Sequence, residues 1–145
     1  NDQNYQISVK LSAKMDKTAQ AVERLQEENF RLKGQVGQLV DDMCRKEAER
    51  YAGSGSVLIF MDGMDADSVR KLADAVTQTC QGCCAVFSGN ADGSYKYAMG
   101  EKDGDLRQFT KEMNAKLNGR GGGKPFFVQG SVQASEKEIR NFFEQ

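Results

Sequence analysis

The chain changes character within residues 51–61, which read Tyr51-Ala52-Gly53-Ser54-Gly55-Ser56-Val57-Leu58-Ile59-Phe60-Met61. The first part of this stretch is rich in small residues that interrupt regular structure. The run from Val57 to Met61 is apolar and has the length of a buried strand. The sequence therefore predicts a long helical segment over residues 1–52 and a globular domain over residues 53–145.

The helical segment carries an apolar repeat in alternating steps of four and three residues, which is typical of a coiled coil. Its stripe comprises Leu11, Met15, Val22, Leu25, Asn29, Leu32, Val36 and Leu39. Leucine dominates one of the two core positions, and a core amide at Asn29 would fix the register and favour two strands. We therefore expect this stripe to be the interface of a homodimer, either parallel, as the core residues favour, or antiparallel.

An alternative use of the same stripe is packing against the globular part of the chain itself. Gly34 and Gly37 favour this alternative, because glycine costs about 1 kcal/mol relative to alanine inside a helix and the pair would mark a bend.

The globular part predicts the order strand, helix, strand, strand, helix, strand, helix, which is an α/β (α+β) fold with a mixed sheet layered by helices. The predicted strands cover residues 56–61, 83–88, 95–99 and 126–132. We expect Asp65 or Asp67 to cap the first helix, and Ser135 with Glu138 to form a capping box on the last one. Gly119 is expected to end the second helix as a C-cap glycine.

Composition excludes several classes of protein. Charged residues make up 28% of the 145 residues but cancel to a net charge of −1, so the chain is not a polybasic or histone-like protein. The mean hydropathy is −0.64, and the apolar runs fall short of the roughly 20 residues that span a bilayer. With no signal-peptide pattern and no initiator Met, we expect a cytoplasmic fragment of a longer protein. Histidine is absent, which excludes histidine bases, catalytic triads and histidine-ligated zinc.

The chain has four cysteines, Cys44, Cys80, Cys83 and Cys84. A zinc site would need Cys44 or a second chain as the fourth ligand. The favoured interpretation is reduced thiols in the core, with Cys83 and Cys84 entering a strand, because a free cysteine behaves as a small hydrophobe. We expect no metal and no cofactor in this chain.

A glycine-rich stretch, residues 118–125, is the strongest candidate site. It reads Asn-Gly-Arg-Gly-Gly-Gly-Lys-Pro. Glycine permits close backbone approach, and successive exposed N–H groups can form an anion-binding concavity. We expect a loop in which Gly121, Gly122 and Gly123 approach a phosphate while Arg120 and Lys124 bracket it. The alternative is a purely structural turn.

Further polar side chains extend this candidate site. Arg107, Lys111 and Lys116 would widen the basic surface, and Gln129 and Gln133 would offer hydrogen bonds beside the loop. Because no aromatic pair is evident for base stacking, recognition of RNA shape and backbone is expected.

These residues carry a family resemblance. The sequence Gly-Arg-Gly-Gly-Gly-Lys-Pro at 119–125, followed by Val-Gln-Gly-Ser at 128–131, resembles the C-terminal, DHH-associated domain of alanyl-tRNA synthetases and of long-form alanyl-tRNA editing proteins. The Val-Gln-Gly-Ser ending is closer to the editing proteins. The resemblance implies tRNA binding and dimerisation for this domain. For an editing parent it implies hydrolysis of Ser or Gly wrongly attached to alanine tRNA by a separate zinc domain.

The catalytic zinc motifs of that family, His-x-x-x-His and Cys-x-x-x-His, are not in this sequence. We therefore expect a non-catalytic tRNA-binding and dimerisation module, whose parent is an aminoacyl-tRNA hydrolase or an alanine–tRNA ligase. The alternatives are a coiled-coil scaffold without a nucleic-acid role and, more weakly, a site for a small phosphorylated ligand. The part of tRNA contacted and the amino acid edited stay open.

Overall fold

The structure is a computed structural model that describes residues 2–145. Its helices are α1 Asp2–Arg50, α2 Ala66–Thr79, α3 Arg107–Lys116 and α4 Glu136–Glu144. Its strands are β1 Val57–Asp62, β2 Cys84–Gly89, β3 Tyr95–Gly100, β4 Arg120–Lys124 and β5 Phe127–Val132. A long N-terminal helix followed by a small mixed sheet with helices confirms the predicted fold class.

The chain forms two compact units, one ending at Leu39 and the other running from Val40 to Gln145. Helix α1 continues through Gly34 and Gly37 without a break, so these glycines do not end it. The second unit begins inside α1 because Val40, Met43 and Cys44 pack into the core of the sheet domain.

The sheet has the strand order β1-β2-β3-β5-β4. Strands β1 and β2 run parallel and are joined by a crossover through α2, as parallel neighbours require, and the other pairs are antiparallel. Both ends of this order are edge strands, and one edge is the glycine-rich strand β4.

The two faces of the sheet hold separate cores, because side chains alternate along each strand. Ile59 and Val86 face α2 and the end of α1, and fully buried Leu72 of α2 packs there. Phe87 and Met99 face the opposite side, where α3 and α4 contribute Met113 and Ile139 to the core cluster. Full burial of a side chain such as Leu72 stabilises the fold by roughly 1.5–3 kcal/mol.

Asp65 and Ser135 are the N-caps of α2 and α4, as predicted, whereas the end of α3 requires a correction. The Asp65 carboxylate accepts a hydrogen bond from Ser68 N–H at 2.8 Å, and the Ser135 hydroxyl accepts one from Glu138 N–H at 3.2 Å. The glycine C-cap expected at Gly119 is wrong: Asn118 takes the left-handed conformation, with φ of 52°. Gly119 N–H then donates to the Asn114 carbonyl at 2.8 Å, which closes the last turn of α3.

The glycine-rich stretch, expected to be a loop, forms strand β4 and a tight hairpin with β5. Lys124 pairs with Phe127, which leaves Pro125 and Phe126 as the turn. The sheet therefore has five strands where the sequence predicted four. Glycine is depleted in strands, so the local composition of residues 120–124 does not predict a strand. The extended conformation is stabilised by pairing with β5, which local composition does not reveal.

Candidate nucleic-acid interface

Strand β4 offers an exposed backbone edge with almost no side chains in its middle. All of its residues are exposed, and its only sheet partner is β5. An edge strand leaves one row of N–H and C=O groups unpaired by the sheet. The curled, anion-binding concavity expected from the sequence is thus replaced by an extended edge that a ligand can approach along its length.

The glycines of β4 are present for different reasons. A Cβ on Gly121, whose φ is 153°, would lie 2.5 Å from Tyr97 Oη, and a Cβ on Gly123 would collide with the Phe127 carbonyl oxygen. A Cβ on Gly122 would meet no atom within 4 Å, and its φ is not positive. Packing of the fold therefore requires glycine at positions 121 and 123 but not at Gly122.

A groove runs along each side of β4. The groove on the α3 side has a volume of about 240 Å³. Its lining includes Arg107, Lys111, Asn114 and Gly121–Gly123. The groove on the α2 side has a volume of about 520 Å³ and shares Gly122 and Gly123. Gly122 therefore lies where a ligand in either groove would meet backbone rather than side chain.

The structure brings together some of the predicted cations and not others. Arg107 and Lys111 line the α3-side groove, and Lys124 lines the α2-side groove. Arg120 is exposed at the start of β4 but lines neither groove. Lys116 is turned toward α4, with its Nζ 3.4 Å from Gln145 Oε1, so it does not extend the basic surface of the grooves.

The charge of Arg107 is partly neutralised by an ion pair with a neighbouring carboxylate. Its guanidinium donates to both oxygens of Asp105, with an Nη2–Oδ2 distance of 2.7 Å. The hydrogen bonds from Arg107 lower the pKa of Asp105 to about 2, so this carboxylate stays charged at neutral pH. Of the two cations in the α3-side groove, Lys111 is therefore the one whose charge is more available to a ligand.

The two predicted glutamines differ in position. Gln129 is exposed on β5, pairs with Gly122 and lines the α2-side groove. Gln133 follows β5, and its N–H donates to the Leu117 carbonyl at 3.1 Å. Gln133 lines neither groove.

Among the residues of the α2-side groove that sequence reasoning missed are Arg70, Lys102 and Phe126. Arg70 and Lys102 come from α2 and from the segment after β3, which are distant from β4 in sequence. Phe126 was assigned to a strand, but the hairpin turn exposes half of its surface. Its neighbour Pro125, the only proline of the chain, was the local signal for a turn.

Comparison with known proteins places this geometry in a family. Residues 54–145 match the model of the DHHA1 domain. The chain belongs to the DHHA1 domain family.

The DHHA1 match agrees with two further similarities. The chain is 24% identical to an alanine–tRNA ligase of Psychrobacter over 90% of the chain but 16% of that protein. It is 27% identical to the ligase of Shewanella loihica over 90% of the chain and 15% of that protein. The chain thus spans less than a fifth of the length of these relatives.

The fold of the DHHA1 domain is also found in a solved structure. The C-Ala domain of Aquifex aeolicus alanyl-tRNA synthetase superposes with a TM-score of 0.54, covering 64% of this chain and 92% of that one. Because the identity is 17%, this likeness establishes the fold alone. Together the matches confirm the resemblance to the C-terminal domain of alanyl-tRNA synthetases.

The predicted dimer stripe lies outside the DHHA1 domain, on the first part of α1. Its apolar side chains from Leu11 to Leu39 are between 46% and 71% exposed in this chain, and Asn29 is exposed as well. No helix in the described range, residues 2–145, is long and apolar enough to cross a membrane.

The cysteines of the second unit are free thiols. Cys84 begins β2 with its side chain fully buried, and Cys83 lies half-buried just before it, as the favoured interpretation predicted. Burial, together with the charge of Glu101, raises the pKa of Cys83 to about 12. Among residues 2–145, no group of three or more metal-ligating side chains comes together.

Proposed function

We propose that this chain is a non-catalytic tRNA-binding and dimerisation module of a larger alanyl-tRNA synthetase or alanyl-tRNA editing protein. RNA backbone would lie along β4, where Lys124 and Lys111 approach it from the two grooves and Arg120 from the start of the strand. The relatives that match most of the chain are named for joining alanine to tRNA, which supports tRNA as the partner.

The observation that carries this proposal is that the fold does not require glycine at position 122. A glycine that neither backbone strain nor packing requires is expected where another molecule approaches the backbone closely. Here it lies on an exposed edge between two grooves that each contain lysine or arginine. Cations beside an exposed edge strand suit a phosphodiester, and backbone contacts of this type position RNA without reading its sequence.

The proposal has two candidates for the parent protein, an editing protein and a ligase. The sequence Val-Gln-Gly-Ser at 128–131 favours an editing protein, whereas the alanine–tRNA ligase relatives favour a ligase. The parent's sequence before Asn1 distinguishes them, because a His-x-x-x-His zinc motif belongs to the editing domain and a class II core to the synthetase.

Dimerisation is supported by the apolar stripe on α1. A helix of 49 residues with exposed leucines at coiled-coil spacing leaves a continuous apolar seam in water. Isolated helices gain most of their stability from packing an apolar face, so a second copy of the same helix is the natural partner.

The test of RNA binding uses affinity for alanine tRNA at two salt concentrations. Arg120→Ala, Lys124→Ala and the double variant each remove phosphate-facing charge, so we expect weaker binding and a salt slope reduced by roughly 0.7–0.9 per lost contact. Lys137→Ala is the matched control, because Lys137 is an exposed lysine on α4 that belongs neither to β4 nor to either groove. A double variant that binds with wild-type affinity and slope contradicts the proposal.

A further inference from the structure

The β4–β5 hairpin presents an aromatic ring to solvent at its tip. Phe126 is 50% exposed, and within the described residues 40–145 it is the one large apolar side chain that is exposed. The domain buries its other aromatic side chains wholly or in part; Phe87, for example, is fully buried. The position of Phe126 is therefore not explained by packing of the fold.

The backbone of this tip is fixed by the fold. The Pro125 carbonyl accepts a hydrogen bond from Leu106 N–H at 2.6 Å, and the Phe126 carbonyl accepts one from Glu101 N–H at 3.0 Å. Proline also restricts the backbone of the turn. Because both turn residues are anchored to the segment after β3, the backbone that carries the exposed ring is positioned before any ligand binds.

The ring forms one wall of the 520 Å³ groove on the α2 side of β4. A cavity of this size accommodates a nucleotide-sized ligand. The groove also contains Gln78 and Gln129, whose amides can donate and accept hydrogen bonds as a base edge does.

The charges around the groove favour an anion. Lys124, Lys102 and Arg70 line it together with Asp74. Arg70 is also paired with Asp67, with an Nη2–Oδ1 distance of 2.8 Å, so Lys124 and Lys102 supply the positive charge that is available to a ligand. Lys124 Nζ lies 5.8 Å from the centre of the Phe126 ring, so a positive charge accompanies the aromatic face. A protein partner would need a broad apolar surface around the ring, whereas the groove adds one half-buried aromatic side chain, Phe127, to its cations, amides and glycine backbone.

We propose that Phe126 is a stacking platform for an unpaired nucleobase of the bound RNA. The base lies on the Phe126 ring, Gln129 or Gln78 contacts its edge, and Lys124 and Lys102 neutralise the adjoining phosphates. Stacking on an aromatic side chain tolerates any base and needs a base that is free of the helix stack. This inference rests on the proposed function, since it adds a base contact to the backbone contacts along β4.

The experiment uses the absence of tryptophan from the natural chain. In Phe126→Trp, the single tryptophan reports stacking through quenching of its fluorescence. Phe30→Trp is the matched control, because Phe30 is 83% exposed on α1 and outside the coiled-coil stripe. We expect alanine tRNA and a short single-stranded RNA to quench Trp at 126 strongly, a blunt RNA duplex of equal length to quench it weakly, and the control tryptophan to respond to none of them.

Affinity measurements separate this inference from the proposed function. Phe126→Leu keeps the apolar volume but loses the stacking face, so we expect RNA affinity to fall about 5- to 100-fold with an unchanged salt slope, while Phe126→Tyr retains binding. If Phe126→Leu binds like wild type, or if duplex and single-stranded RNA quench Trp at 126 equally, the platform is wrong even when Arg120 and Lys124 prove necessary. If wild type binds no RNA at low salt, the proposed function itself fails.

Discussion

Two neighbouring glycines of β4, Gly122 and Gly123, have different roles. At Gly123, the space for a side chain is filled by the Phe127 carbonyl, so glycine is needed for the hairpin to close. At Gly122, the same space is open, so glycine is available for a ligand. Substitution of Gly123 is therefore expected to affect stability, and substitution of Gly122 to affect binding.

A pair of valine substitutions tests this distinction. Gly122→Val should fold normally, with the free energy of unfolding changed by no more than about 0.5 kcal/mol, because nothing is displaced. It should weaken tRNA binding about tenfold or more, because its methyl groups hold the RNA away from the backbone. Gly123→Val should destabilise the domain by about 1–3 kcal/mol through overpacking.

Urea unfolding and tRNA titration of both variants provide the measurement. Normal tRNA binding by Gly122→Val would show that nothing approaches this part of β4 closely.

Cys83 combines partial exposure with a raised thiol pKa. A thiol whose pKa is about 12 has roughly one molecule in ten thousand as thiolate at pH 8. We expect iodoacetamide to modify Cys83 in the folded protein far more slowly than an unfolded control, and faster as the pH rises toward 10. Mass spectrometry of timed samples decides; modification at the rate of a free peptide thiol would contradict the buried environment.

At the scale of the element, local signals located the helices better than the glycine-rich strand. Capping residues and periodicity placed α2 and α4, because a helix satisfies its hydrogen bonds within a contiguous segment. Strand β4 was missed because its hydrogen-bond partners lie on β5, so its conformation depends on pairing and not on its own composition. The same error hid the turn that exposes Phe126.

The cap of α2 gives a pH-dependent prediction. Hydrogen bonding by the Ser68 side chain, and then by the Ser68 N–H, lowers the pKa of Asp65. The contribution of this carboxylate to stability is therefore full above the unfolded pKa of about 4 and is lost as pH falls through the lowered value. Asp65→Ala should therefore cost about 1 kcal/mol at pH 7 and less near pH 2. Asp65→Asn, which can still cap, should cost less at pH 7. Urea unfolding at both pH values is the measurement, and an equal cost of Asp65→Ala at each would contradict an ionised cap.

At the scale of the whole molecule, the two units divide the proposed tasks. The unit from Val40 to Gln145 carries both grooves, and the stripe lies on the unit that ends at Leu39. Pairing of two helices would place two RNA-binding domains in one assembly, which raises the apparent affinity for an RNA that reaches both.

Light scattering at about 50 µM tests the assembly. Wild type should be a dimer, and Leu25→Glu with Leu32→Glu should be a monomer that keeps the folded domain, because charges at core positions are incompatible with the seam. Phe30→Glu, outside the stripe, is the matched control and should stay dimeric. A monomeric wild type would refute helix pairing.

Contiguous patterns in the sequence were enough to predict the long helix, the mixed-sheet class, the N-caps of α2 and α4 and the glycine-rich candidate site. Each of these rests on contiguous patterns, such as the coiled-coil spacing from Leu11 to Leu39 and the apolar run from Val57 to Met61. Three features became visible only in the folded chain: residues 120–124 form an edge strand, Arg70 and Lys102 join Lys124 in one groove, and Phe126 faces solvent. These features depend on which distant segments pack together. Contacts between distant segments do not produce a periodic pattern in the sequence of either segment.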